Sequence, residues 1–360
     1  MGPIKVAIAG LGNCASSLVQ GIYYYKGVTG KEERVTGLMH PSFGEYLPRD
    51  IEFVGAFEVN AGKIGKDISE AIFVHPNVVI KFAEVPKLGV EVLPAPILDG
   101  VADHMKGSFD VYDAKEMKPV DVAEELRKAG AEILINFLPV GSAEASRYYA
   151  QAALDAGCGF INCIPEFIVS DSGWQEKFRK AGLPMAGDDI KSQVGATILH
   201  RVIAQLLSDR GVEIDETYQL NIGGNTDFEN MLAEHRLKSK RISKTEAVTS
   251  ILDYPVPTRI GPSDYVPFLD DTKICYIHAQ GKKWGGMPIS VALKLSVEDS
   301  PNSAGVVADV IRATKIALDR GVSGPLLSIS AYSFKHPPEQ VEDSIAKRYV
   351  EEFIQGERER

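Results

Sequence analysis

The chain has 360 residues, of which 44% are apolar and 24% charged, and a formal net charge of −10. Those proportions are ordinary for a soluble globular protein, and the length exceeds what one core usually supports, so two domains are expected. The acidic balance argues against a non-specific nucleic-acid binder, and no apolar run approaches the ~20 residues that span a bilayer. Met1-Gly2-Pro3-Ile4-Lys5-Val6 goes straight into a strand pattern, without the layout of a signal peptide. Cys14, Cys158, Cys163 and Cys275 are scattered and form no CxxC pair. Reduced thiols in a cytoplasmic protein are the expectation, with no membrane partner and no metal, since no His/Cys cluster has ligand spacing.

Lys5-Val6-Ala7-Ile8-Ala9 reads as a short buried strand, followed at once by Gly10-Leu11-Gly12-Asn13-Cys14-Ala15 and a helix over 16–25. This is the G-x-G-x-x-G/A dinucleotide turn in its proper setting, strand before and helix after. Gly10 allows the tight turn, Gly12 lets the backbone approach a pyrophosphate, and Ala15 permits close helix–strand packing. A purely structural turn is the plainer alternative. Residues 27–50 lack periodicity and read as an inserted loop. The next strand, Ile51-Glu52-Phe53-Val54-Gly55-Ala56-Phe57, ends in Glu58, the acid expected to hold the adenosine ribose. An acid there favours NAD, because it would repel the extra phosphate of NADP. Its rival reading is a solvent-facing glutamate at a strand end.

Residues 61–73 and 120–129 have helical spacing. A strand over 132–137 ends at Leu138-Pro139-Val140-Gly141-Ser142, a helix follows over 143–156, and a strand over 159–163 ends in Ile164-Pro165-Glu166. Such alternation is the signature of a parallel α/β sheet, whose ligands sit at the C-terminal strand ends. Asn13 and Cys14 in the first turn, then Pro139, Gly141 and Ser142, and finally Asp188 fall on that rim as cofactor contacts. The densest stretch is Gly187-Asp188-Asp189-Ile190-Lys191-Ser192-Gln193-Val194-Gly195-Ala196-Thr197, between a strand end and a helix over 198–207. A helix start offers unpaired N–H groups to an anion, and this turn adds two carboxylates, an ammonium and two hydroxyls. A capped turn with solvated Asp and Lys is the bland alternative.

Beyond residue 209 the texture changes. A strand over 217–222 leads to Gly223-Gly224-Asn225-Thr226-Asp227-Phe228, and residues 236–244 hold five cations and no acid. That run reads either as a solvated basic helix or as a site for a phosphorylated or enolate-like ligand. Residues 291–297 are strand-like, 298–305 cap a helix over 306–320, 328–334 read as a strand leading to Lys335-His336-Pro337-Pro338, and a charged helix spans 341–355.

Together these residues resemble the inositol-3-phosphate synthase (myo-inositol-1-phosphate synthase) family in its shorter bacterial and archaeal form. The resemblance runs from Gly10 to Pro337. Its most specific parts are residues 187–197, Asn221-Ile222-Gly223-Gly224-Asn225-Thr226-Asp227, Ser239-Lys240-Arg241-Ile242-Ser243-Lys244, residues 269–273 and residues 299–305. It implies an α/β fold: a Rossmann-like parallel-sheet NAD-binding domain over 1–200, with 302–360 packing back on it, and an inserted α+β catalytic and tetramerisation domain over 201–301. The implied reaction is the first step of inositol biosynthesis, a redox-neutral isomerisation of glucose 6-phosphate in which NAD is used catalytically. C5 is oxidised, the ketone acidifies C6, the enolate attacks the C1 aldehyde, and C5 is reduced again.

Matched to the family motifs, Lys240, Lys273 and Lys335 surround the sugar oxygens, Lys244 lies near the phosphate, and Asp189 and Asp299 are the acidic partners. Ser192, Gln193 and Thr197, with the backbone at Gly195, cradle the phosphate, and Asn221 and Asn225 hold substrate. One of the crowded lysines would have a lowered pKa and act as base at O5, and the sequence leaves open which. Many family members carry Asp where this chain has Glu58. A homotetramer is expected. Two rival readings remain: an NAD-dependent sugar-phosphate dehydrogenase with net oxidation, and a non-catalytic sugar-phosphate sensor.

Overall fold

Strands that are buried along most of their length must be covered on both faces, and this requirement organises the first half of the chain. In the computed structural model, which describes residues 2–233 and 238–360 apart from the side chains of Lys238, Arg241 and Pro262, strand β1 (Ile4–Ala9) lies inside a parallel sheet. It leads through the glycine turn to α1 (Asn13–Tyr24). Then come β2 (Ile51–Glu58), the short α2 (Ile68–Ala71), β3 (Val92–Pro94), α3 (Val122–Ala129), β4 (Ile133–Asn136), α4 (Ala143–Ala156), β5 (Gly159–Asn162), α5 (Ser172–Ala181) and β6 (Pro184–Ala186). Alternate side chains of β1 go to opposite faces. Ile4, Val6 and Ile8 pack with Leu18, Val19 and Ile22 of α1, whereas Ala7 and Ala9 pack with Leu126 of α3, Tyr149 and Ala153 of α4 and Phe178 of α5.

Helix α6 (Ala196–Asp209) begins the second half, followed by β7 (Glu213–Gly223), α7 (Thr226–Asn230), α8 (Lys238–Thr249), β8 (Thr258–Tyr265), β9 (Thr272–Lys283) and β10 (Met287–Glu298). These strands form a second sheet in the order β10-β9-β7-β8, antiparallel except for β7 against β8. The expected boundary at residue 200 falls inside α6, which packs on β7 and β9.

The chain then returns. Helix α9 (Asp299–Arg320) lies along α1, β11 (Gly324–Pro325) joins the edge of the parallel sheet beside β6, and α10 (Leu327–Ser333) and α11 (Asp343–Gln355) follow. The described parallel sheet thus has the order β11-β6-β5-β4-β1-β2-β3. Residues 27–50 form the expected loop, seated on α9 through buried Phe43 and Tyr46 and through His40, whose Nδ1 is 2.5 Å from Asp309 Oδ2. All four cysteines are free, and no helix among the described residues is long and apolar enough to cross a membrane.

Three local expectations are corrected. Residues 328–334, expected as a strand, lie almost wholly in helix α10. Leu327-Ser328-Ile329-Ser330-Ala331 alternates as a strand would, but Ser328, Ile329, Ser330 and Ala331 are all buried, so the alternation does not separate an inside from an outside. Of the helix expected over 61–73 only α2 forms, because Gly62 and Gly65 interrupt the run and Asp67 caps a new start through the N–H of Ser69. Helix α9 starts at Asp299 rather than near 306; Pro301 stands at its third position, where no intrahelical N–H bond is lost.

Candidate functional site

One cavity runs between the C-terminal rim of the parallel sheet and the second sheet. At its first end Gly10 has φ +87°, and a Cβ there would stand 3.1 Å from the Phe137 carbonyl oxygen, so glycine is required. Gly12 precedes α1 with no side-chain cap, and a Cβ on it would meet nothing within 4 Å. No side chain caps the N–H groups of the first turn, which leaves them available to an anion. Ala15 is fully buried against the sheet. Cys14 lines the cavity, but burial pushes its thiol up to about 12, which leaves it a small packing group rather than a nucleophile.

Glu58 also lines this end and is not a solvent-facing residue. Its Oε1 accepts from the N–H of Leu11 (3.0 Å), and its Oε2 from those of Val59 (2.7 Å) and Asn60 (3.1 Å). Buried Lys63 stands 3.8 Å from Glu58 and donates to the Leu11 carbonyl (2.7 Å) and to Asn77 Oδ1 (3.0 Å). Burial lowers the Lys63 pKa, with Glu58 opposing. Lys63 and Asn77 thus brace the glycine turn from behind, and Asn13 ties it to the N–H of Val78 (2.8 Å).

The other end is a cluster of lysines. On α8, Lys240, Ser243 and Lys244 share one face by their i, i+3, i+4 spacing. Lys240 Nζ is 2.6 Å from Asp227 Oδ2, Lys273 Nζ on β9 is 3.1 Å from Asp299 Oδ1, and Lys335 Nζ is 2.8 Å from Asp189 Oδ1. The Ser243 hydroxyl donates to the second Asp189 oxygen. Burial works against ionised Asp189, but Lys335 and Lys240 outweigh it and hold the carboxyl below its usual range. Lys273 stays above its ordinary value because Asp299 overcomes the burial. Lys244 differs: it has no hydrogen-bond partner among the described residues, and burial next to Lys240, Lys273 and Lys335 brings its pKa down to about 7.

Lys335 reaches this cluster because residues 333–336 run antiparallel to 188–191. The N–H of Lys191 bonds the Ser333 carbonyl (2.8 Å), that of Lys335 the Asp189 carbonyl (2.7 Å), and that of His336 the Asp188 carbonyl (3.0 Å). Between the two ends, Ser192, Gly195 and Thr197 line the cavity at the start of α6. Only glycine fits at 195, where a Cβ would be 2.8 Å from that of Ser192. Asn225 lines the wall while capping α7 and donating to Asp271 Oδ1 (2.9 Å), and Asn221 lines it from β7. Buried Asp271, pushed up to about 6 by burial, also takes the Ser300 N–H (3.0 Å) and so sets the first turn of α9.

Most residues singled out from the sequence therefore surround one cavity: Gly10, Gly12, Asn13, Cys14, Glu58, Pro139, Asp189, Ser192, Gly195, Thr197, Asn221, Asn225, Lys240, Lys244, Lys273, Asp299 and Lys335. Five stand elsewhere. Ala15 is core. Gly141 has φ +86° and Ser142 donates to the Pro139 carbonyl (2.5 Å), so both shape the turn behind Pro139. Asp188 spends its carboxylate on the N–H groups of Ile168, Val169 and Ser170 and on Asn162, holding the neighbouring strand-end loop. Gln193 turns outward to the Gly37 carbonyl (2.9 Å). Arg236 and Leu237 of the basic run lie outside the described residues. The sequence reading missed Lys63, Asn77, Ser243, Asp271 and Gln219. Gln219 had a signal in the polar row Thr217, Gln219, Asn221 at strand spacing, and Ser243 and Asp271 stood inside the quoted motifs without being singled out.

Residues 195–300 match the family model described as myo-inositol-1-phosphate synthase. The chain is 52% identical over 359 residues to an inositol-3-phosphate synthase of Corynebacterium glutamicum, covering 98% of both chains. It is 52% identical over 356 residues to one of Mycobacterium tuberculosis, covering 98% of this chain and 96% of the other. A myo-inositol-1-phosphate synthase-related protein of Thermotoga maritima has a similar crystal structure, with TM-score 0.81, 25% identity and 98% of each chain covered.

Proposed function

The chain belongs to the inositol-3-phosphate synthase family, and from that premise we propose that it cyclises D-glucose 6-phosphate to 1D-myo-inositol 3-phosphate with NAD as a catalytic cofactor. The observation that carries this reading is the lysine cluster, three ammonium groups each paired with an aspartate and a fourth, Lys244, with a pKa of about 7. Recognition of one phosphate needs no such array. A reaction that develops negative charge at O5 and again at O1 does.

The open space at Gly12 and the carboxylate of Glu58 at the end of β2 fit an adenine dinucleotide, and Lys63 keeps the turn in place. When bound, NAD would supply the hydride acceptor for C5 of the sugar and the donor that restores it. In this reading Lys244, whose pKa of about 7 leaves an unprotonated fraction at physiological pH, accepts the O5 proton. Lys240, Lys273 and Lys335, each against an aspartate, stabilise the oxyanions of enolisation and ring closure. Ser192, Thr197 and the free N–H groups at the start of α6 hold the phosphate. Asp189 and Asp299 orient two of the lysines. The exposed Tyr218, Tyr276, Trp284 and Met287 on the second sheet support the expected homotetramer.

Phosphorus NMR of the purified protein with glucose 6-phosphate and catalytic NAD, with absorbance followed at the NADH band, tests the reading. A new inositol phosphate signal without NADH build-up is expected. Stoichiometric NADH would instead make the protein a dehydrogenase, and binding without turnover a sensor.

A further inference from the structure

The turn that leads into α6 has an inner and an outer side. Ser192, Gly195, Ala196 and Thr197 line the cavity, whereas Gln193 and Val194 do not, and Val194 is 53% exposed. A Cβ on Gly195 would stand 2.8 Å from that of Ser192, so the chain doubles back here with residues 193 and 194 at the outer bend. The first turn of α9 holds that bend. The main-chain carbonyl of Asn302 accepts from the Gln193 N–H (2.8 Å), its Oδ1 accepts from the Val194 N–H (3.0 Å), and its Nδ2 donates to the Val194 carbonyl (2.7 Å). A main-chain N–H can only donate and a main-chain carbonyl can only accept, so the Asn302 amide has one possible orientation. Gln193 adds a second tie. Its side chain lies over Gly305, where a Cβ would come within 2.4 Å of Gln193 Oε1, and its Nε2 reaches the Gly37 carbonyl (2.9 Å).

These ties engage the N–H groups of residues 193 and 194, on the side away from the cavity. The start of α6, which lines the cavity, has no side-chain cap. Gly195 stands there in extended conformation, and glycine has more backbone freedom to lose than any other residue, so its neighbours must hold it. Asn302 does so through the peptide that joins Val194 to Gly195. In a trans peptide the N–H points opposite to the carbonyl. With the Val194 carbonyl drawn to Asn302, which is not part of the cavity wall, the Gly195 N–H points away from Asn302.

We propose that Asn302 is a positioning residue for the substrate phosphate: by pinning both polar main-chain groups of Val194, it aims the Gly195 amide and the start of α6 at the phosphate that Ser192 and Thr197 also hold. The proposal rests on the glucose 6-phosphate reading for the identity of that anion, but the clamp itself is a property of the ligand-free protein.

Asn302→Leu and Asn302→Ala test it. Both remove the two side-chain bonds to Val194 and add no charge, but leucine fills the space of asparagine and alanine does not. Inorganic phosphate is titrated into each ligand-free protein and followed by its phosphorus NMR line width. Wild type is expected to bind it, and both variants to bind it about tenfold more weakly. With glucose 6-phosphate, KM should rise by a similar factor, while kcat and NAD affinity stay within about twofold of wild type. Unchanged phosphate binding in both variants, or a loss in the alanine variant alone, reduces Asn302 to packing and overturns the proposal. A wild type that binds no phosphate overturns it too. So does a loss confined to kcat, because Asn302 would then act through Asp299 and its partner Lys273, on the same turn of α9. If the leucine variant does not fold, the alanine variant decides: a rise in KM alone supports the clamp, and a fall in kcat or in NAD affinity overturns it. If wild type makes no inositol phosphate, the proposed function fails, and the phosphate titration still judges Asn302.

Discussion

The two ends of the cavity are built on opposite plans. At the glycine-turn end the groups come from two stretches, residues 10–13 and 58–78, and the main chain does much of the work: the amide of Leu11 on Glu58, its carbonyl on Lys63, the free N–H groups past Gly12. At the other end side chains do it, in lysine–aspartate pairs separated by 13, 26 and 146 residues. A main-chain site depends on local geometry and tolerates changes around it. A site of opposed charges depends on every member being present, because removing one partner strands another in a buried place.

That contrast sets the order of expected effects. Lys273→Ala should be the most damaging, since an oxyanion left without its cation costs about 3–4 kcal/mol in the transition state. NAD affinity, measured by calorimetry, should not change. Activity within about threefold of wild type would remove Lys273 from the chemistry and blur the contrast between the two ends.

A graded effect comes next. A base must be unprotonated, so with Lys244 in that role kcat/KM should rise with pH up to about 7 and level off above it. Below that value the rate should fall about tenfold per pH unit. A profile that is flat from pH 5.5 to 8 would assign the O5 proton to another group.

The smallest effect is expected at Glu58→Ala, where the backbone contacts of the turn remain. NAD should bind more weakly by about tenfold and NADP should be refused less strictly. Unchanged affinity for both would mean that Glu58 serves only to hold Leu11, Val59 and Asn60.

The same contrast explains what was legible in the sequence. The glycine turn and Glu58 could be read because their roles follow from neighbours in sequence and from strand ends that a parallel sheet brings to one rim. Lys63 could not, because its burial depends on a carbonyl 52 residues away. Asp188 looked like a ligand group in a polar turn, but the N–H groups of residues 168–170 claim it first. For the basic run, composition by itself favoured a solvated face, since charge runs usually face water. Docking of α8 on α6 and β8 turns Lys240 and Lys244 inward. Strand β7 misleads in the other direction. Its polar row Thr217, Gln219, Asn221 has the pattern of a solvent face but is the buried one, with Tyr218 left 39% exposed.

Asp189 receives Lys335 on one oxygen and Ser243 on the other, so three segments that emerge at different times during synthesis meet on one carboxylate. A nascent or clipped chain that stops short of residue 335 can have its glycine turn and Glu58 in place and still lack the last cation. On the proposed chemistry such a fragment keeps Lys244, the base at O5, but lacks one of the cations that stabilise the later oxyanions. Arrival of the C-terminal segment thus completes the cation set for ring closure, and Asp189 is the residue that receives it.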